Sequence, residues 1–200
     1  MTYLYLDVET TGLDEKTNSI IQLSGIISKD GVEESFDYYI KPYRGESISS
    51  DITEITGITS EQAESFPSQE EVFKTFRDLL DKYISGRKSK AFLIGYNVGF
   101  DDKFMREWFS MNGVPFGWGA YVWFPYIDVM NLAAFKTMYL RADLKNFKLG
   151  TVYQHFTGKE LEGAHNSMND IIATKELFLL LAKDILFPMT KENDSPCSEI

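Results

Sequence analysis

The chain is poor in the residues that most disulfide-stapled or membrane-bound scaffolds depend on. It has one cysteine in 200 residues, Cys197, which excludes a disulfide framework. That cysteine sits in a polar tail, so a structural zinc site of thiolates is excluded as well. No apolar run reaches the ~18 residues a membrane span needs. The opening Met1-Thr2-Tyr3-Leu4-Tyr5-Leu6-Asp7 has no basic stretch and soon meets a carboxylate, unlike a signal peptide. A reducing, cytoplasmic setting without membrane attachment is the expectation. Histidines number only 2, too few for an imidazole-rich metal centre. Cations are also in deficit: 20 Lys and Arg against 30 Asp and Glu, a formal charge of −10. Such a balance disfavours tight non-specific binding to nucleic acid, which rests on cations neutralising phosphates. It leaves room for an enzyme that meets nucleic acid at a local, metal-charged site.

What is present describes a globular chain. Hydrophobic residues make up 44% and aromatics 14%, enough for a full core at this length. Residues 1–187 are expected to form one domain and 188–200 a polar, disordered tail. Residues 3–8 and 19–28 read as strands. Lys29-Asp30-Gly31 reads as a hairpin turn into a third strand ending at Ile40. Pro42 to Asp51 reads as a loop and Ser60-Glu61-Gln62 as the start of a short helix. Ser68 caps a longer helix to Tyr83, with Val72, Phe73, Phe76, Leu79, Leu80 and Tyr83 at helical spacing. After a basic turn, Ala91 to Ile94 is a short apolar strand, followed by a helix from Phe100 to Met111. Tyr121 to Ile127 is expected as a strand, Asp128 to Met138 and Phe147 to Phe156 as helices. A last helix, capped by Asn166 or Ser167, runs to about Leu186. Hairpin strands first, then alternating strands and helices, predict an α/β fold with a mixed sheet and flanking helices.

Four carboxylates and one histidine stand at element ends. Asp7 and Glu9, two apart on a strand, project to the same face near its C-terminal end, where crevices of open α/β sheets form. Asp101 opens a helix after an apolar strand. Asp170 lies in the last helix, and His165 can approach it only from the preceding loop, because five helical residues would turn it away. Each residue alone also fits a bland role: a solvated strand edge, a helix-dipole acid of the kind Asp102 suggests, an exposed loop histidine. Together they form a hard oxygen set suited to Mg²⁺ or Mn²⁺. His155, in mid-helix, reads as partly buried structure.

These residues fall in three motifs. Asp7-Val8-Glu9-Thr10-Thr11-Gly12 resembles the first motif of the DEDDh 3′–5′ exonucleases, typified by proofreading subunits of bacterial replicative DNA polymerases. Asn97-Val98-Gly99-Phe100-Asp101 resembles the second and His165-Asn166-Ser167-Met168-Asn169-Asp170 the third, while Ile55-Thr56-Gly57-Ile58-Thr59 is similar to a recurrent family segment. Where the family usually carries a small or basic residue and then Ala after the histidine, Asn166-Ser167 stands here. The resemblance covers residues 3–183. It implies a ribonuclease-H-like fold, two divalent ions bound by Asp7, Glu9, Asp101 and Asp170, and His165 as general base. It further implies Thr10 beside the terminal 3′-hydroxyl, with Asn97 and Phe100 supporting the Asp101 loop.

The implied activity is release of nucleoside 5′-monophosphates from single-stranded or frayed 3′ ends. DNA is the favoured substrate, in proofreading or repair, with a DNA polymerase as an open partner. An RNA-directed enzyme of the same family is the first alternative. A catalytically weak binding module is the second, disfavoured because no motif residue is lost. Lys136, Arg141, Lys145 and Lys148 lie against a single acid, Asp143, and reverse the local charge. Phosphate contact and a solvated basic loop are both open for them. Tyr139, Phe147 and Tyr153 are open as base-stacking or core residues. The aromatic run Trp118, Tyr121, Trp123, Phe124 and Tyr126 is read as strand and core.

Overall fold

The computed structural model describes residues 1–114, 116–162 and 166–183. β1 (Thr2–Thr10), β2 (Ile20–Lys29) and β3 (Val32–Tyr39) form an antiparallel meander. β4 (Ala91–Gly95) and the short β5 (Ile127–Asp128) add in parallel beyond β1, giving the order β3-β2-β1-β4-β5. The hairpin closes at Asp30 (φ 52) and Gly31 (φ 85). Both lie in the left-handed region that a two-residue turn between twisted strands requires.

Seven α-helices occur among the described residues: α1 (Ser50–Thr56), α2 (Ser60–Ala63), α3 (Gln69–Tyr83), α4 (Gly99–Met111), α5 (Val129–Lys136), α6 (Leu149–Thr157) and α7 (Ser167–Leu181). None is long and apolar enough to cross a membrane. Ser68 and Glu71 cap α3 reciprocally: the Ser68 Oγ accepts from the Glu71 N–H, and the Glu71 carboxylate accepts from the Ser68 N–H at 3.0 Å. Of the two candidates for the α7 cap, Asn166 takes the role, its Oδ1 accepting from the Asn169 N–H.

The alternation of β1 divides the molecule. Leu4, Leu6 and Val8 enter a core with α3 and α4 that is dense in aromatics, including Phe73, Phe76, Trp108, Phe109 and Trp118. Phe73 meets Trp108 edge-on, with ring centroids 5.0 Å apart. Tyr5 enters the opposite core with Ile94, Val129, Val152, Ile171 and Leu177, beneath α5, α6 and α7.

Several expectations need correction. Of the segment Tyr121 to Ile127, only Ile127 joins the sheet as a strand residue, followed by Asp128. Trp118 and Tyr121 are instead buried around a single 3-10 turn, Trp118–Ala120, and Val122 makes one isolated bridge to Ala91. Pro125 has no N–H to continue a ladder. The aromatic run therefore splits: Trp118 and Tyr121 are core, whereas Phe124 is 73% exposed. The stretch read as a loop up to Asp51 already contains the start of α1, capped by Ser49 and closed by Gly57. α5 ends at Lys136 rather than Met138, and a 3-10 turn covers Met138–Asp143. α6 begins at Leu149 rather than Phe147. His155 is exposed in the last turn of α6, off the stripe that buries Val152 and Tyr153, with its ring edge-on to Phe156. Tyr153 is core, while Tyr139 is almost fully exposed. The expected tail 188–200 and the run of the last helix to Leu186 extend outside the described residues.

Candidate active site

The last register pair between β1 and β4 is Tyr5 with Ile94. Beyond it β1 continues alone on that side, and the gap is where the carboxylates gather. The chain leaves β4 through Asn97, held at φ 61, and enters α4. This brings Asp101 back against β1, where its Oδ1 accepts the Val8 N–H at 2.9 Å. A side chain thus replaces the strand partner that Val8 lacks on the β4 side. α7 crosses the same edge and presents Ser167 and Asp170. The Ser167 Oγ donates to Asp7 Oδ2 at 3.1 Å. Asp7 and Asp170 share a cleft of about 150 Å³ with Tyr5, Ile94, Tyr96 and Thr174.

The charges register one another. Burial, the nearby Asp170 carboxylate and, in the opposite sense, the Ser167 hydroxyl act on Asp7, and the net effect pushes its carboxyl up to about 6. Burial together with Asp7 and Asp170 pushes Glu9 up to about 8. Asp101, 4% exposed, is raised by burial and by Asp7, against the lowering effect of the Val8 N–H. Like charges in a poorly solvated niche have this effect. Among the described residues, no three Asp, Glu, His or Cys side chains stand close enough to hold an ion as they are. The donor set itself fits a hard divalent cation: four carboxylates converging on one crevice, each gaining from a neighbouring positive charge. His165 lies outside the described residues.

Asp102, expected to be no more than a helix-dipole acid, is buried. It accepts from Trp118 Nε1 at 3.1 Å and Arg106 Nε at 2.6 Å, a structural tie between α4 and the core.

The expected substrate contacts divide. Thr10 is buried and its hydroxyl donates to the Gly12 carbonyl at 2.7 Å, so it braces the turn after β1. Asn97 is exposed, and its N–H donates to Asp128 Oδ1 at 3.0 Å. Phe100 packs on Phe104 beside the Asp101 helix. Lys136, Arg141, Lys145 and Lys148 are all exposed. Arg141 is tied to the cleft: its guanidinium lies 3.8 Å from the Phe147 ring centroid and lowers the Tyr96 hydroxyl pKa, which burial raises overall. That hydroxyl donates to the Phe147 carbonyl at 2.8 Å.

Sequence reasoning does not single out Ser167 as a partner of Asp7, nor Tyr96 and Thr174 as cleft walls. Ser167 is legible as a candidate helix cap and as a departure from the family's usual Ala. The clamp of Thr11 on Glu46 (2.7 Å), which also holds the Ser19 N–H through the Thr11 Oγ (2.9 Å), spans too many residues to be read locally.

The RNase_T family model, described as exonuclease, matches residues 4–178. The PolC-type DNA polymerase III of Pediococcus pentosaceus is 32% identical over 183 residues, covering 91% of this chain and 11% of that protein. That of Thermotoga maritima is 31% identical over 179 residues, covering 89% and 12%. The chain therefore spans about a tenth of the length of these polymerases. Among solved structures, E. coli exonuclease I in its zinc-bound complex with single-stranded DNA aligns with a TM-score of 0.71 at 24% identity, over 91% of this chain and 40% of that one. Its complex with a dT13 oligonucleotide gives 0.71 at 22%, over 92% and 42%. At that identity the likeness speaks for the fold, and it bears out the expected ribonuclease-H-like arrangement of a mixed sheet with flanking helices. With the family model spanning nearly all of the sheet and α7, the chain belongs to the RNase_T exonuclease family.

Proposed function

We propose that the chain is a divalent-metal-dependent 3′–5′ exonuclease that hydrolyses single-stranded or frayed 3′ ends, DNA by preference, to nucleoside 5′-monophosphates. The observation that carries this reading is the convergence of Asp7, Glu9, Asp101 and Asp170 at the free end of β1, with the first three pushed toward protonation by burial and one another. In this reading the four carboxylates hold two ions, Mg²⁺ or Mn²⁺. When bound, such ions supply charge neutralisation at phosphorus and a more acidic water. The Val8 N–H fixes the Asp101 carboxylate, and the Ser167 hydroxyl fixes that of Asp7. His165, in its neutral form, takes the proton of the attacking water on an imidazole nitrogen. The new bond joins the water oxygen to phosphorus. The bond broken links phosphorus to the 3′-oxygen of the penultimate nucleotide, which leaves as a 3′-hydroxyl after taking a proton from solvent. Thr10 shapes the turn beside the terminal 3′-hydroxyl, Asn97 and Phe100 support the Asp101 loop, and Lys136, Arg141, Lys145 and Lys148 meet the phosphates of the departing strand.

The test uses DNA and RNA oligonucleotides of one sequence, labelled at the 5′ end, with Mg²⁺, Mn²⁺ or EDTA. The expected result is a metal-dependent ladder shortening from the 3′ end, with nucleoside 5′-monophosphate as product and DNA consumed faster. Loss of the 5′ label as a mononucleotide, or activity in EDTA, would overturn the reading. Faster loss of RNA would move it to the RNA-directed alternative. His165→Ala is expected to cost on the order of 10²–10⁴ in kcat with metal affinity unchanged. Full rescue by excess Mn²⁺ would instead make His165 a ligand.

The chain is expected to act in the cytoplasm, with a DNA polymerase as its partner, for which the likeness to PolC-type polymerases is the support.

A further inference from the structure

A second concave surface lies beside the start of β4, where residues 121–123 bond to Ala91, away from the carboxylates. Arg87, Lys90, Arg106, Trp123 and Phe124 line it, with Gly119 and Val122 at its base. All of its charged lining residues are cations, in a chain of net charge −10. Two of them are held in place from behind. Lys90 Nζ donates to the Gly119 carbonyl and lies 5.4 Å from the Trp123 ring centroid. Arg106 Nε donates to the buried Asp102, and its guanidinium carbon lies 5.8 Å from the Phe124 ring centroid. Asp102 cancels one charge, while Arg87 and Lys90 keep the recess positive, and the exposed Lys88 adjoins it. The result is a pair of aromatic faces, one of them 73% exposed, each next to a pre-positioned cation.

The recess shares Phe124 with a hollow that reaches the loop before Asp101. Phe124 also lines a neighbouring hollow formed by Tyr126, Asp128 and Asn131. Tyr126 packs its hydroxyl where a Cβ on Gly99 would stand, 2.7 Å away, at the start of the helix that carries Asp101. Asp128 bonds the Asn97 N–H in the same loop. From Gly95, opposite Asp128, back to Ala91, beside Trp123, the strand rises about 13 Å, the reach of a few nucleotides.

We propose that this recess is a secondary binding site for single-stranded nucleic acid: the substrate strand, on leaving the carboxylates, stacks bases on Phe124 and Trp123 and sets phosphates on Arg87, Lys90 and Arg106. Alternating aromatic faces and cations suit a strand whose bases are unstacked and whose backbone is anionic, and they read no sequence. The inference rests on the exonuclease reading only for the identity of the strand. The site is a length sensor: short oligonucleotides reach the carboxylates alone, and longer ones engage both.

The experiment separates the two claims. Binding of fluorescein-labelled dT20 and dT3 is measured by anisotropy in EDTA, without turnover, for the parent, Arg87→Gln/Lys88→Gln and Phe124→Ala. Cleavage of both oligonucleotides is followed separately with Mg²⁺. Phe124→Ala is expected to weaken dT20 binding roughly 5- to 150-fold, the effect of losing one stacked base. The double substitution is expected to reduce the salt slope for dT20 by about one for each phosphate that is no longer neutralised. Cleavage of dT3 is expected to stay at the parent level in every variant. Both substituted surfaces are exposed, so the fold is not at stake, and melting curves verify that. Unchanged dT20 affinity and salt slope, or no dT20 binding by the parent, would overturn the site. So would an equal loss for a polyglutamate peptide, which would reduce the recess to an unselective cation patch. A parent that cleaves nothing but binds dT20 through Phe124 would instead retire the exonuclease reading and leave the site standing.

Discussion

The two faces of the sheet are built from one strand by alternation, yet they do opposite things. The face formed by Leu4, Leu6 and Val8 lies against an aromatic core in which Phe76 and Trp108 are fully buried. The face that starts with Tyr5 continues through Asp7 and Glu9, and its core thins into a cleft. The first face is closed on all sides and supplies stiffness. The second is left open where β1 outruns β4, and there carboxylates are raised rather than compensated. Asp101 and Asp102 make the same contrast within one helical turn. Asp102 turns to Arg106 and Trp118 and ties the structure together, whereas Asp101 turns to β1 and shares its niche with other acids. Burial alone does not distinguish an acid set among other acids from one tied to a cation and an indole; the identity of the neighbours does.

The sharpest way to break this contrast is to neutralise the open face. Asp7→Asn is expected to lower turnover roughly a thousandfold or more, since a ligand and its charge are both removed. Relief of repulsion should leave the metal-free melting temperature unchanged or raised. An exonuclease assay with Mg²⁺ and a melt in EDTA check both halves, and near-parent activity would remove Asp7 from the ligand set. The closed face should respond the other way. Phe76→Ala is expected to cost about 3–5 kcal/mol in stability, read by denaturant unfolding. Turnover per folded molecule should be little changed, so a specific loss of activity without loss of stability would contradict the division of labour.

Acidity provides a gentler probe. In the unfolded chain Asp7 and Glu9 ionise near pH 4, but in the fold they do so at about 6 and about 8. Between those values the native state holds protons that the unfolded state has released. The contribution of these groups to stability is therefore present at the acid end and is lost as pH rises from about 4 to 8. For Asp7 this is on the order of 3 kcal/mol. Melts without metal should show a lower Tm at pH 8 than at pH 5.5, a slope flattened in Asp7→Asn/Glu9→Gln and removed by millimolar Mg²⁺. A parent Tm that rises over this range would argue against the shared niche. The smallest effect concerns the exposed cations between residues 136 and 148. Changing Lys136, Arg141, Lys145 and Lys148 to Gln should raise KM and lower its salt slope by about one for each phosphate they neutralise, with kcat little altered. An unchanged slope would return this segment to a solvated loop.

Much of this is legible in the sequence because the signals are local. The Asp30-Gly31 turn, the Ser68 cap, the apolar stripe of α3 and the Asp7/Glu9 pair on one face of β1 each follow from a few adjacent residues, and the three motifs follow from their order. What the sequence conceals depends on distant partners. The Tyr121–Ile127 segment has strand composition, but its aromatics are recruited by the core of α3 and α4 and Pro125 ends any ladder. α1 carries no buried residue, so no periodicity announces it. The position of His155 within a helix suggests burial, but the orientation of that helix decides the matter. Asp102 and Ser167 are hidden for the same reason: each acquires its role from a residue on another element, Trp118 in one case and Asp7 in the other.

The bond from the Val8 N–H to Asp101 has one further consequence. A backbone amide in the middle of a sheet normally has a carbonyl as acceptor, whose charge does not vary with conditions. Here the acceptor is a carboxylate whose protonation depends on the acids around it. In an amide-resolved NMR spectrum, Val8 should move with pH and with added Mg²⁺ while its neighbours Leu4 and Leu6, deeper in the sheet, stay still. One strand proton thus acts as a spectroscopic gauge of the charge state of the whole crevice, readable without substrate or turnover.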